Sequence, residues 1–322
     1  MTRVDLITGF LGAGKTTFIH RYLHHLDRQS TFIIENEFGS VGVDARFLQD
    51  DGCEIEDLSG VCMCCRGRGD FINMLIGAAA RNYERVVVEP SGIYDVDEFF
   101  SVMNDPAVRA VCEIGSIVTV VDPVIPENLS PESEYLMFTQ LAASGAILLS
   151  KTQLHAPEAV RAVRPWLDGL MRTHGGSPLP EGILWDKPWD ELTDEDFSRL
   201  RASGFHRSEH ARSRFSHEDA YGSFITAGRC RDEADLESRL RDILIDPRFG
   251  RVIRVKGYLR DLDGHWYEVN CTPGELSVCE ANGVRRGVLV VIGQELNETA
   301  LEGAFLPRPE KRAKTINEGE TI

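Results

Sequence analysis

Apolar positions in the first half of the chain fall into short unbroken runs. VDLIT (4–8), TFIIE (31–35), RVVVE (85–89), SIVTVVD (116–122) and AILLS (146–150) are each bounded by glycine, proline or charge. A short run without polar alternation is the pattern of a strand buried on both faces, as in a parallel sheet covered by helices. The segments between them predict helices at 15–27, 68–82, 95–103, 132–144 and 156–172. Strand and helix in alternation predict a doubly wound, mostly parallel α/β domain over residues 1–175.

The pattern changes near residue 174. THGGSPLPEG is a loop signal, DKPWDELTDEDFSRL is acidic and helix-prone, and FHRSEHARSRFSHEDAYG is polar and rich in histidine and arginine. Residues 176–220 therefore read as a linker with a helical segment. Beyond it, GSFITAG and RVIRVKGYLRD read as strands around a helix at 232–245. HWYEVNC, ELSVCEA and GVLVVIG read as three further strands before a helix near 296–305, giving a smaller α+β domain at 221–306. Residues 307–322 carry few apolar side chains and are expected to be disordered.

Composition narrows the function. The 322 residues carry a formal net charge of −16. An acidic surface repels phosphate backbones and anionic lipids, which argues against nucleic acid or membrane as the main partner. No apolar run approaches the ~18 residues of a membrane span. The opening MTRVDLITGF has a short apolar run containing Asp5 and no cleavage pattern, so a cytoplasmic location is expected. In that compartment thiols stay reduced, and clustered cysteines point to metal or catalysis rather than disulfides.

The chemistry starts at GFLGAGKT, Gly9 to Thr16, which fits G-x-x-x-x-G-K-[ST] between a predicted strand and a predicted helix. In such a loop the backbone N–H groups around Gly9, Gly12, Ala13 and Gly14 turn toward phosphates, and the helix N-terminus adds partial positive charge. Lys15 is expected to reach the β- and γ-phosphates and Thr16 to ligate Mg²⁺. Glu89 ends a buried strand in VVVEPSG, near Gly92, where a carboxylate could position Mg²⁺ or the attacking water. Asp122, ending IVTVVD, has the same sequence geometry.

Three of the eight cysteines, Cys62, Cys64 and Cys65, fall within LSGVCMCCRGRGD (58–70). Zinc takes four tetrahedral ligands, and three thiolates so close together supply two or three of them. Glu37 is the first candidate for a further ligand, ahead of Glu35 or His217. Thiolates suit Zn²⁺ or Cu(I), and mixed thiolate–carboxylate sites also take Co²⁺ or Ni²⁺. His20 and His24 share a helix face, which reads as solvated.

The order TGFLGAGKTT, ENEFGSVGVD, CMCC, EPSG, VVD resembles the CobW-type metallochaperone P-loop GTPases of the SIMIBI class, and RVIRVKGYL resembles the signature strand of their C-terminal domain. The resemblance runs to about residue 306. It implies GTP/GDP and Mg²⁺ as nucleotide and cofactor. It also implies a transition metal, Zn²⁺ or else Co²⁺, at the Cys-x-Cys-Cys motif, delivered to a client metalloprotein. Thr17 would contact the α-phosphate, and residues 36–44 would form the first switch, with Asp44 facing Mg²⁺ or water. Glu89 and Gly92 match E-x-x-G, which makes Lys15, Asp44 and Glu89 the catalytic candidates. A GTP-dependent homodimer is implied on the same ground.

Two departures from the family pattern matter. Val61 stands where glycine usually precedes the thiols, and a β-branched residue resists positive φ. SKTQ stands in place of N-K-x-D, so Ser150, Lys151 and Gln153 would meet the base. An uncharged Gln153 can donate as well as accept, which weakens charge-assisted selection of guanine. The alternative reading is a P-loop ATPase or small-molecule kinase with a structural thiol metal site.

Overall fold

The computed structural model describes residues 1–36, 54–57, 67–124, 129–207, 220–284 and 287–305. Its first sheet contains β1 (Thr2–Thr8), β2 (Thr31–Glu35), β3 (Glu54–Asp57), β4 (Arg85–Glu89), β5 (Cys112–Val121), β6 (Ala146–Leu149) and β7 (Leu184–Trp185). The order is β3-β2-β4-β1-β5-β6-β7, and every neighbouring pair is parallel. The unbroken apolar runs have their expected cause. On β4, Val86 and Val88 join the core on one face of the sheet while Val87 joins the core on the other, all without exposure. Each such valine contributes about 1.5–3 kcal/mol on burial.

The connections are helical: α1 (Lys15–Leu23), α2 (Arg68–Ala80), α3 (Val96–Met103), α4 (Pro106–Arg109), α5 (Pro131–Ala143), α6 (Pro157–Thr173) and α7 (Asp194–Arg201). Among the described residues no helix is long and apolar enough to cross a membrane.

The span read as a linker is partly built into this first unit. β7 pairs with β6, and Phe197 and Leu200 of α7 enter the core beside Phe18, Tyr22 and Leu23 of α1. The composition hid this, because α7 is charged or polar apart from those apolar positions three residues apart. Its start is fixed by a capping box in which Thr193 and Asp196 exchange side-chain to backbone bonds. β3 and α4 were also absent from the sequence reading. β3 is EIED, a charged edge strand that the apolar pattern does not mark. The described residues end at 305, so the expectation of a disordered tail lies outside them.

The second sheet is antiparallel, in the order β11-β10-β9-β12-β8. Its strands are β8 (Gly222–Thr226), β9 (Arg251–Arg260), β10 (Trp266–Thr272), β11 (Glu275–Ala281) and β12 (Val288–Gln294). Strand alternation divides its side chains between two partners. Val255, Leu259, Leu289 and Val291 pack against α8 (Glu233–Ile245) and α9 (Glu298–Phe305). Val290 and Ile292 turn the other way and meet Leu11, Ile93 and Leu136 of the first domain. That face also carries Tyr221, whose hydroxyl shares a 2.6 Å hydrogen bond with Ser133 of α5. The second domain is therefore docked against the loop that follows β1.

Candidate functional site

The loop after β1 carries its chemistry into the first turn of α1. Gly14 caps the helix, and Lys15 is its first residue, 6% exposed. The Lys15 ammonium donates to the Gly9 carbonyl at 3.1 Å, so its charge lies over the loop. The Thr16 hydroxyl donates to Glu89 Oε1 at 2.8 Å, although the two residues are 73 positions apart. β4 lies beside β1 in the sheet, and its carboxyl end delivers Glu89 to that place. A threonine hydroxyl and a buried carboxylate are hard oxygen donors, the set that Mg²⁺ prefers. Gly92 is pressed against the same loop. A Cβ there would sit 2.5 Å from the Leu11 nitrogen, so only glycine allows this approach.

The opposite end of the loop meets SKTQ. Ser150 is buried and donates its N–H to the Val121 carbonyl at 2.9 Å. Lys151 Nζ donates to the Gly12 carbonyl at 3.2 Å, to Asp122 at 2.7 Å and to Glu275 of β11 at 2.5 Å. Burial works to lower the Lys151 pKa, but bonds to Asp122 and Glu275 outweigh it and raise the pKa above its ordinary value. Gln153 is exposed in the short 3-10 turn Thr152–Leu154, and Thr17 is exposed on α1. Asp122 is thus held by Lys151, away from the Thr16–Glu89 pair.

The sequence reading missed what the second sheet brings here. Arg254 and Lys256 of β9 line a small cleft with Lys15, Glu35, Glu89 and Gly92. Lys256 is 3% exposed, and its amine is pushed down to about 7. Burial is the main cause; the charge of Glu35 opposes it and that of Lys15 adds to it. One signal was present in the sequence. In RVIRVKGYL a lysine stands directly after a valine in a β-prone run, and a strand lysine that is buried needs a reason.

Glu37, Asp44, Cys62, Cys64, Cys65 and His217 lie outside the described residues. Among the described residues no group of three or more histidine, cysteine or acidic side chains is arranged to hold a metal ion. His20 and His24 stack with ring centroids 5.4 Å apart, and Arg28 lies 2.7 Å from His24 Nδ1.

A phosphate-type loop at the carboxyl edge of a parallel sheet, with a second domain packed on it, defines a P-loop nucleotide-binding protein. The chain belongs to the CobW/HypB/UreG family, whose nucleotide-binding domain matches residues 3–173, and the cobalamin synthesis protein CobW C-terminal domain matches residues 222–306. It is 29% identical over 216 residues to the zinc chaperone YeiR of Escherichia coli, covering 65% of this chain and 64% of that protein. It is 29% identical over 289 residues to the zinc chaperone CobW of a Sinorhizobium species, covering 79% of this chain and 80% of that one. It is 30% identical over 170 residues to the zinc-regulated GTPase metalloprotein activator 1 of Schizosaccharomyces pombe, covering 50% and 41%. The chain thus spans less than two thirds of the length of the E. coli and yeast relatives.

Proposed function

We propose that the protein binds and hydrolyses GTP and uses that cycle to hold and release a transition metal, zinc ahead of cobalt, for a client metalloprotein. The observation that carries the nucleotide half is the 2.8 Å bond between Thr16 and Glu89, set beside the buried Lys15 ammonium. In this reading Lys15 neutralises charge on the β- and γ-phosphates, and Thr16 and Glu89 offer the oxygen donors for Mg²⁺. When bound there, Mg²⁺ would supply neutralising charge for the phosphates. Glu89 and Asp44 orient the attacking water. Ser150, Lys151 and Gln153 meet the base, with a preference for guanine reduced by the uncharged Gln153.

The metal half rests on the sequence and on the relatives. Cys62, Cys64 and Cys65, with Glu37, form a donor set suited to Zn²⁺. Two relatives are named zinc chaperones and a third a zinc-regulated GTPase metalloprotein activator. A homodimer formed with GTP belongs to the same reading.

The test is GTP hydrolysis by the native chain and by Lys15→Ala, with zinc competition titrations in the GTP-analogue and GDP states. Lys15→Ala is expected to lower kcat/KM by about 10²-fold or more, the scale of losing one fixed charge at a transition state. Zinc affinity is expected to differ between the nucleotide states and to fall with acid, because thiolates must lose protons to bind. Unchanged hydrolysis in Lys15→Ala overturns the nucleotide site. Equal zinc affinities overturn the coupling.

A further inference from the structure

The cleft beside Lys15 receives side chains from both domains. From the first come Lys15, Glu35, Glu89 and Gly92; from the second come Arg254 and Lys256. Strand alternation explains the second pair. Val255 of β9 packs in the core with α8, so Arg254 and Lys256 on either side of it face the other way, toward the first domain. Lys256 pairs across the sheet with Val290, a residue of the interdomain core. Docking of the two domains through Val290, Ile292 and Leu11 therefore carries this lysine into the cleft.

A buried amine is costly to keep charged, and its ordinary place is on the surface. Here burial and the neighbouring Lys15 both disfavour the charge, and the charge of Glu35 opposes them. An anion arriving between the two lysines would reverse that balance. Arg254 carries the same implication. Its Nη2 donates to Asn270 at 3.2 Å, while its buried Nε makes no hydrogen bond among the described residues. A buried guanidinium N–H without an acceptor, on a residue that lines a cleft with two lysines, suits an anionic oxygen.

We propose that Lys256, with Arg254 beside it, is a ligand for the terminal phosphate of the bound nucleoside triphosphate, supplied by the second domain of the same chain. The proposal rests on reading Gly9–Thr16 as the phosphate loop. The loop and Lys15 hold the phosphates from the side of the first sheet, and Lys256 closes on the γ-phosphate from the side of the second. Only the triphosphate has that group. The second domain thereby distinguishes triphosphate from diphosphate, and its packing on the loop becomes sensitive to hydrolysis.

The experiment measures dissociation constants for GDP and a non-hydrolysable GTP analogue on the full chain and on Lys256→Met, Lys256→Arg, Arg254→Gln and Lys15→Ala. Methionine keeps the unbranched stem and removes the charge, and a melting curve for each variant establishes that it is folded. Lys256→Met is expected to weaken the triphosphate analogue at least tenfold while GDP stays within twofold. Lys256→Arg is expected to recover part of that loss. Arg254→Gln tests the same selectivity at a position that is only half-buried, and is expected to shift it in the same direction by a smaller factor. Parallel losses for both nucleotides, or no loss for either in both Lys256→Met and Arg254→Gln, overturn the proposal. Lys15→Ala separates the two levels. If it weakens both nucleotides while Lys256→Met weakens neither, the phosphate loop stands and the proposal falls. If Lys15→Ala weakens neither, the loop reading falls and the proposal falls with it.

Discussion

Glu89 and Asp122 end strands that look alike in the sequence, and the structure gives them different work. β4 and β5 flank β1 on opposite sides. The carboxyl end of β4 faces Thr16, so Glu89 meets the hydroxyl. The end of β5 faces Lys151, so Asp122 becomes an ion-pair partner at 2.7 Å. The motif was legible because its spacing is local; the partner acid was not fully legible, because sheet order decides it. The cysteines show the same limit. Burial, first among the causes, pushes Cys112 and Cys271 up to about 11 and Cys230 up to about 12. A thiol with a pKa of about 11 is roughly one part in a thousand thiolate at pH 8, against about a quarter for an ordinary thiol. Cys279 is exposed. Timed alkylation with iodoacetamide at pH 8, followed by peptide mass spectrometry, is therefore expected to label Cys279 well before Cys112, Cys230 and Cys271. Labelling of those three at the rate of Cys279 would contradict the burial described here.

At the scale of elements, the sequence was most informative where pattern and burial coincide. Each apolar run in the first half became a strand of the first sheet, because consecutive side chains enter cores on opposite faces. α7 was harder, since its buried apolar positions are two and its other positions are charged or polar. Phe197 is 3% exposed, stacks on His25 at 3.8 Å and lies 6.4 Å from Phe18. If α7 belongs to the first domain, Phe197→Ala is expected to destabilise the protein by about 3–5 kcal/mol, the range for a large aromatic removed from a core. A helix in a solvated linker would lose less than about 0.5 kcal/mol. Denaturant melts followed by circular dichroism separate the two.

Across the whole molecule, the second sheet touches both ends of the phosphate loop. Lys256 lines the cleft near Glu89, and Glu275 reaches Lys151 at the other end. Between them, Thr272 of β10 sits over Gly12, where an added Cβ would come within 2.5 Å of the threonine methyl. Gly12 also has a φ of 77°, a conformation that side chains resist. Gly12→Ala therefore meets two obstacles of separate origin. The strained backbone costs about 1–3 kcal/mol and belongs to the loop alone. The overlap costs about 1–3 kcal/mol as overpacking and exists only while the second domain is docked. Thr272→Ser removes the methyl and leaves the backbone strain. If the domains pack in solution as described, Thr272→Ser in the Gly12→Ala background restores part of the lost melting temperature, while in the native background it costs little. If the domains are apart, the two changes add with no coupling, because residues without a shared contact do not interact. The double-mutant cycle thus asks whether the second domain reaches the loop, the condition on which any reading of the nucleotide by Lys256 depends.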